Sequence, residues 1–435
     1  MEQSDYVDFV KKNNYGKYFK NGSHRTKITD MEESVYSGDL FDIYSWLRNT
    51  CTPFDKWQRY PGAKNITISP NKVPEFLINY EEYKRQIRKI DYSDMLQIVI
   101  DHYIQLDTPI LMVDEFQDFT SQMYNIFKMW VPSCKSVLAA ADPNQSIYEF
   151  FGGCTDYYYH FDATEIIRHE TFRLTEQIKN FSHKILKCAG MTAPETKARQ
   201  IDSNTIYRVR YDCKLPVYEN EFHLIRCNYQ AHAIALSLAK EGRVFGGLCG
   251  WKEDEVNAAN AVISIRQGKS ISLDQMKAII NLFPAKMLDI NGSKEDFVSS
   301  LEQKYAPQIH IGTGILNCKT LDILNSSDPT KGMLKSSLLF KAKINGIKNR
   351  INLILLEEVK NRNILTIHGA KGLEAEAVFL HTAITPRIQK IVLIPGKKSQ
   401  AEARVWYVGV TRPKKVLYLV TDAGKNYTLP GIPSC

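Results

Sequence analysis

The chain has 435 residues, 44% apolar and 24% charged, with a formal charge of +8. This is an ordinary globular composition, long enough for two or more domains, and no apolar run approaches the roughly 20 residues that cross a bilayer. The start, Met1-Glu-Gln-Ser-Asp-Tyr6, lacks the basic and apolar regions of a signal peptide, and the nine scattered cysteines form no Cys-x-x-Cys pair, which argues for reduced thiols in a cytoplasm and against a zinc site or disulfide framework.

Residues 1–38 read as polar, basic and without periodicity. Lys11, Lys12, Lys17, Lys20, Arg25 and Lys27 sit among Asn, Gly and Ser, which predicts a mobile or accessory segment. Asp39 is placed to cap a helix through Leu40, Ile43, Tyr44 and Leu47. A Pro- and Asn-rich connection covers about residues 52–73. A second helix is expected over about residues 92–106, with Leu96, Val99, Ile100 and Tyr103 on one face.

That helix leads into the stretch Thr108 to Asp118. Ile110 to Val113 has the apolar run of a short buried strand, and Asp114 and Glu115 follow at once. Ligands of open parallel α/β sheets bind just beyond the carboxyl ends of the strands. A carboxylate pair there suits two tasks, holding Mg²⁺ and orienting an attacking water. A solvated acidic turn is the plainer alternative. Ser136 to Ala140 is the next apolar strand. Beyond it lie Asp142 and Gln145, the latter an amide suited to sensing a phosphate, then Tyr148 and Phe150, flat faces suited to stacking on unpaired bases. Core packing is the alternative for Phe150.

Thr171-Phe-Arg173 offers a guanidinium after a helical turn, and a helical stretch runs on to about Lys187. Arg243 to Cys249 reads as a strand, and about residues 253–348 as helical with few chemical signals. Trp251 and other scattered aromatics read as core. Strand signals return at Ile364–Ile367, Ala377–His381 and Val416–Thr421. Among them lie Thr366-Ile-His-Gly-Ala-Lys-Gly-Leu-Glu374 and Trp406-Tyr-Val-Gly-Val-Thr-Arg412. Arginine suits phosphate because its planar fork donates in parallel pairs and stays charged. A solvated ion pair is the ordinary alternative. Alternating helices and strands are the grammar of an α/β fold.

Together and in this order, these pieces resemble the UvrD/Rep type of superfamily 1 DNA helicase, over roughly residues 90–180 and 360–422. The resemblance implies two RecA-like lobes facing one cleft, with ATP and Mg²⁺ as cofactors. It implies that Asp114 holds Mg²⁺, that Glu115 activates water, and that Gln117 and Gln145 couple the γ-phosphate to the strand-binding surface. Arg173 and Arg412 would be the phosphate-sensing arginines of the second lobe. Gly372 and Glu374 would belong to the nucleotide site, Glu374 meeting the ribose. Thr366 and His368 would lie near the DNA backbone, and Tyr148 and Phe150 would stack on bases. The chain departs from the family pattern at Phe150-Phe151, where Trp-Arg is usual. It departs again at Thr171, where Asn is usual, at Ala375, where an aromatic is usual, and at Pro413, where Ala is usual and where proline should end or kink a helix.

The largest departure concerns the P-loop, Gly-x-x-x-x-Gly-Lys-Thr/Ser, whose backbone amides cradle phosphates. No stretch of the 435 residues has that spacing; Asn21 to Lys27 and Gly369 to Gly372 carry only some of its letters. The expectation is therefore an α/β protein of two RecA-like lobes, the first incomplete, with helical accessory insertions. Residues 1–90 would be an accessory segment and 91–164 lobe one. Residues 165–252 and 351–435 would form lobe two around a reduced helical insertion, 253–350. The expected function is ATP-driven 3′→5′ movement on single-stranded DNA or a single/double-strand junction. A companion polypeptide would carry the P-loop, and there would be no membrane partner. A regulatory nucleic-acid-binding protein without ATPase activity is the alternative.

Overall fold

The structure, a computed structural model, describes residues 1–13, 15, 39–66, 68–200, 205–210, 213–288, 290, 292–305, 316, 318–334 and 337–421. Two compact units follow one another along the chain, residues 1–166 and 167–435. No helix among the described residues is long and apolar enough to cross a membrane.

The first unit opens with a helix, Gln3–Lys12, that corrects the expectation of an unpatterned segment. Tyr6, Phe9 and Val10 fall three and four residues apart, so they share one helix face, and all three are buried. Phe9 meets Phe76 and Tyr80 with ring centroids 5.4 and 5.1 Å apart. Lys11 and Lys12 sit in the last helical turn, where cations complement the helix dipole. Lys17, Lys20, Arg25 and Lys27 lie outside the described residues. The helix Asp39–Asn49 forms with Leu40, Ile43, Tyr44 and Leu47 all buried; the capping side chain of Asp39 is outside what is described.

Residues 52–73 are more than a connection, since they bury Trp57 in a short 3₁₀ segment, Phe54–Arg59. The helix Lys72–Ile87 then adds Val73, Phe76, Leu77, Tyr80 and Tyr83 to the same aromatic core. Near its end Lys84 is buried, its Nζ 3.0 Å from Asp91, 2.7 Å from Asp94 and 2.6 Å from the Tyr44 hydroxyl. Asp91 and Asp94 in turn cap the next helix, Tyr92–Asp101, each accepting from the other's backbone amide. That helix stops short of residue 106 because the chain turns left-handed at Tyr103, φ +50°.

Strands β1 (Ile110–Val113) and β2 (Ser136–Ala139) pair in parallel, Met112 opposite Leu138. β1 is not the buried strand its composition suggests. Ile110, Met112 and Leu138 are 54%, 73% and 57% exposed, because no described element covers that face. Tyr92, Met95 and Ile98 of the preceding helix are exposed as well.

The second unit begins with β3 (Glu170–Thr175), the helix Glu176–Cys188, and β4 (Lys197–Gln200), parallel to β3. Its core is a six-stranded parallel sheet of β5 (Ile206–Arg210), β6 (Glu221–Ile225), β7 (Gly246–Gly247), β8 (Arg362–Thr366), β9 (Ala375–His381) and β10 (Pro413–Thr421), in the order β5-β10-β9-β6-β8-β7. The helices Ala231–Lys240, Glu253–Arg266, Leu273–Leu282 and Leu338–Gly346 share one apolar cluster that includes Ile225 and Ile364 of the sheet. Trp251 belongs to it, 6% exposed. The helix Lys397–Val410 ends just before Pro413, which opens β10, so the proline marks a helix-to-strand turn rather than a kink.

Arg243 does not start a strand, as β7 is confined to Gly246–Gly247. It is buried and ion-paired to Glu221. Beside that pair, His223 Nδ1 lies 3.2 Å from His381 Nε2, and the His223 ring stacks on Phe379 at 4.7 Å. Burial holds both imidazoles below the usual histidine range, so both are neutral. A group with a depressed folded pKa stabilises the fold above its unfolded pKa. That stability is lost as pH falls from about 6.5 toward the folded value. The thermal midpoint of the second unit should therefore drop steadily between pH 7 and pH 5 in calorimetry, and a flat profile would contradict the buried pair.

Candidate functional site

In the first unit the site grows from the end of β1. Asp114 and Glu115 are both exposed, and Asp114 Oδ1 accepts from the Glu115 amide at 2.9 Å. Glu115 has φ +53°, a left-handed backbone that is strained for a residue with a Cβ and is found disproportionately at functional sites. Its carboxylate accepts from Gln117 Nε2, and Gln117, buried, accepts from the Asp142 amide at 3.0 Å. One side chain thus ties the carboxylate at the end of β1 to the loop after β2. In that loop Gln145 Nε2 donates to Asp142 Oδ2 at 2.7 Å.

The same loop runs on to the aromatic pair. Burial, then the negative charges of Asp118 and Glu115, raise the Tyr148 phenol above its usual range. Tyr148 and Phe150 rings are 6.2 Å apart at 53°, and Phe150 is 59% exposed rather than packed in a core. Asn49 holds this turn through a 2.9 Å bond from its side-chain amide to the Phe151 carbonyl. Gly152 closes it at φ +102°, where a Cβ would also sit 3.0 Å from Thr50. Sequence reasoning missed Asn49, whose contact is 102 residues distant.

In the second unit Arg173 lies on β3, not after a helical turn. Its Nε donates to Glu374 at 2.8 Å, and Lys414 contacts the same carboxylate. The Lys414 hydrogen bond, against a smaller opposing effect of burial and helped by the Arg173 charge, holds Glu374 below the usual carboxylate range. Arg412 is 2% exposed. It donates to the carbonyls of Val408 at 3.0 Å and Leu373 at 3.3 Å, and to Thr411 Oγ1 at 3.1 Å. Thr366 Oγ1 accepts from the Gly369 amide at 3.0 Å, and Gly372 has φ +78°. The turn between β8 and β9 is therefore pinned at its start by Thr366 and near its end by Arg412.

Arg173, Gly372, Glu374 and Arg412 come together there; Lys414 joins them without having been singled out in the sequence. His368, in the same turn, is pushed down to about 4 by burial and next by the Arg226 charge. It is neutral near pH 7 and offers a ring hydrogen bond rather than a positive charge.

A strand-end carboxylate pair tied to an amide relay in the first unit, and two arginines at the β8–β9 turn in the second, are residue types suited to phosphate. The known domains that match this chain are more specific. Residues 25–165 match the UvrD/REP helicase N-terminal domain and residues 326–423 the UvrD-like helicase C-terminal domain. Together these take up more than half of the chain. The chain belongs to the UvrD-type helicases. It is similar to DNA helicase II of Rickettsia typhi, 22% identical over 86% of this chain and 71% of that protein. A probable DNA helicase II homolog of Rickettsia conorii is 24% identical over 90% and 74%. The ATP-dependent DNA helicase PcrA of Staphylococcus aureus is 20% identical over 78% and 60%.

Proposed function

We propose that this chain is the motor core of an ATP-dependent DNA helicase, moving 3′→5′ on single-stranded DNA in the cytoplasm. The observation that carries the reading is the relay in the first unit. Gln117 joins Glu115 to the loop that presents Gln145, Tyr148 and Phe150, so a change at the nucleotide would be felt at a base-stacking surface. The domain matches and the helicase relatives support it.

The residues suit Mg²⁺ and ATP. Mg²⁺ bound with phosphates needs only one or two carboxylates, and Asp114 is exposed at the strand end to supply one. Mg²⁺ would neutralise charge on the phosphates. Glu115 would accept a proton from water, and Gln145 would report the γ-phosphate. Arg173 and Arg412 would stabilise charge on the transferring phosphoryl group, with Gly372 and Glu374 shaping the nucleotide site. Thr366 and His368 would meet the strand backbone. Arg173 would first have to leave Glu374. The uncovered apolar face of β1 and β2 suits a strand and helix bearing the P-loop, supplied from outside the 435 residues.

With a P-loop-bearing segment added, attaching streptavidin to one or the other end of a biotinylated oligonucleotide tests direction: ATP-dependent displacement from the 5′ end alone supports the proposal, and displacement from the 3′ end alone refutes the polarity. Phe150→Ala should weaken single-strand binding by roughly one to two orders of magnitude, since a base stack is worth about 1–3 kcal/mol. Anisotropy titration checks this, and unchanged affinity removes Phe150 from the interface. A second reading, a regulatory strand-binding protein without ATPase activity, is favoured by the Arg173–Glu374 pair. Under it, ATP would leave strand affinity unchanged.

A further inference from the structure

We propose that the second unit carries a docking pocket for an acidic peptide segment of a partner protein, anchored by one tryptophan or tyrosine side chain. This stands independently of the proposed motor activity. A cavity of about 350 Å³ opens among the helices Glu176–Cys188, Pro386–Leu393 and Lys397–Val410. Pockets between helices at this size take compact, largely apolar groups. Its walls include Ile185, Val392, Pro395, Ala403 and Trp406.

The wall also includes Lys187, Cys188 and Ser399, and its one carboxylate is Glu402, 5% exposed. Its Oε1 accepts from Arg226 Nε at 2.8 Å and Trp406 Nε1 at 2.9 Å, and its Oε2 from Arg226 Nη2 at 2.9 Å. A carboxylate has about four lone-pair positions. Three are filled by described residues, which leaves one on Oε2 for an incoming N–H or O–H. Arg226 has already compensated the charge, so the pocket calls for a neutral donor on an apolar body. An indole or a phenol answers that description.

The rim fixes the sign of what flanks the anchor. No acidic residue occurs between Glu176 and Glu195, or between Glu376 and Glu402. Lys184, Lys187, Arg387, Lys390, Lys397 and Lys398 are all exposed on those segments. Leu393 and Ile394, each 68% exposed, form an apolar lip beside the cavity. A phosphodiester strand would satisfy the cations but has no use for exposed aliphatic side chains. A peptide with an aromatic anchor among aspartates and glutamates uses all three features, as interface hot spots do.

The test is fluorescence anisotropy of the full chain with a short labelled peptide of Asp and Glu around one central Trp. The same peptide with Ala in place of Trp, and a single-stranded oligonucleotide, serve as comparisons. The Trp peptide should bind, and the Ala peptide should bind at least about tenfold more weakly. Ala403→Leu, which narrows the cavity, should weaken the Trp peptide by a similar factor. So should the surface reversal Lys187→Glu/Lys397→Glu/Lys398→Glu, which needs no repacking and keeps the test valid if Ala403→Leu fails to fold. The proposal is overturned if the Trp peptide does not bind, or if the two peptides bind equally. It is also overturned if the reversal weakens the oligonucleotide and leaves the peptide unaffected, which would make the patch a phosphate surface.

Discussion

Glu115→Gln should lower DNA-dependent ATP turnover by about 10²–10⁴-fold, the range that one general base supplies, when the chain is assayed together with a P-loop-bearing segment. The substitution keeps the side chain's length, and an amide oxygen can still accept from Gln117 Nε2. The left-handed backbone at residue 115 also stays as it is. What would be lost is the charge proposed to take a proton from water. ATP binding, measured at equilibrium with a fluorescent analogue, should be unchanged, since Mg²⁺ and phosphate contacts are assigned elsewhere. Turnover within a factor of about ten of the parent would remove Glu115 from that role.

Arg243→Met should destabilise the second unit by about 3–5 kcal/mol, the usual cost of leaving one member of a buried ion pair unpaired. Glu221 is 1% exposed. Burial pushes its carboxyl up, yet His223, 3.8 Å away, and the Arg243 charge outweigh this and leave it lowered. Without Arg243 that balance fails and the carboxylate is stranded beside two neutral imidazoles. Urea denaturation should show a lower midpoint with an unchanged slope. The double variant Glu221→Gln/Arg243→Met should recover a large part of the loss. A single-variant cost under about 1 kcal/mol would mean that the pair is not buried as described.

Much of the site was legible because its residues sit where local pattern changes. Ile110–Val113 followed by Asp114 and Glu115, and Ser136–Ala140 followed by Asp142, announce strand ends by composition alone. The central strand β6 went unread because Glu221 and His223 interrupt its apolar run, and their partners, Arg243 and His381, are distant in sequence. The helix Gln3–Lys12 was hidden by its charged face, although Tyr6, Phe9 and Val10 had the right spacing. Arg173 was read as following a helical turn; it lies on β3, and the helix Glu176–Cys188 does begin just after it. Glu374 was readable as a candidate, but its pairing with Arg173 and Lys414 depends on a strand order that no local pattern encodes.

On the proposed reading, the exposed faces of Met112 and Leu138 are where a segment bearing the P-loop would pack. Apolar strand faces are ordinarily covered, and catalysis of phosphoryl transfer is mostly positioning and electrostatics. In the proposed motor, Asp114, Glu115 and the arginines would act on a phosphate only once it is held. Steady-state phosphate release with single-stranded DNA tests this most directly. The chain is assayed alone, then with a strand–P-loop–helix segment from a relative, each beside its Glu115→Gln control. The account predicts negligible turnover for the chain alone and DNA-stimulated turnover, lost in the control, once the segment is present. Robust turnover by the chain alone, abolished by Glu115→Gln, would contradict it.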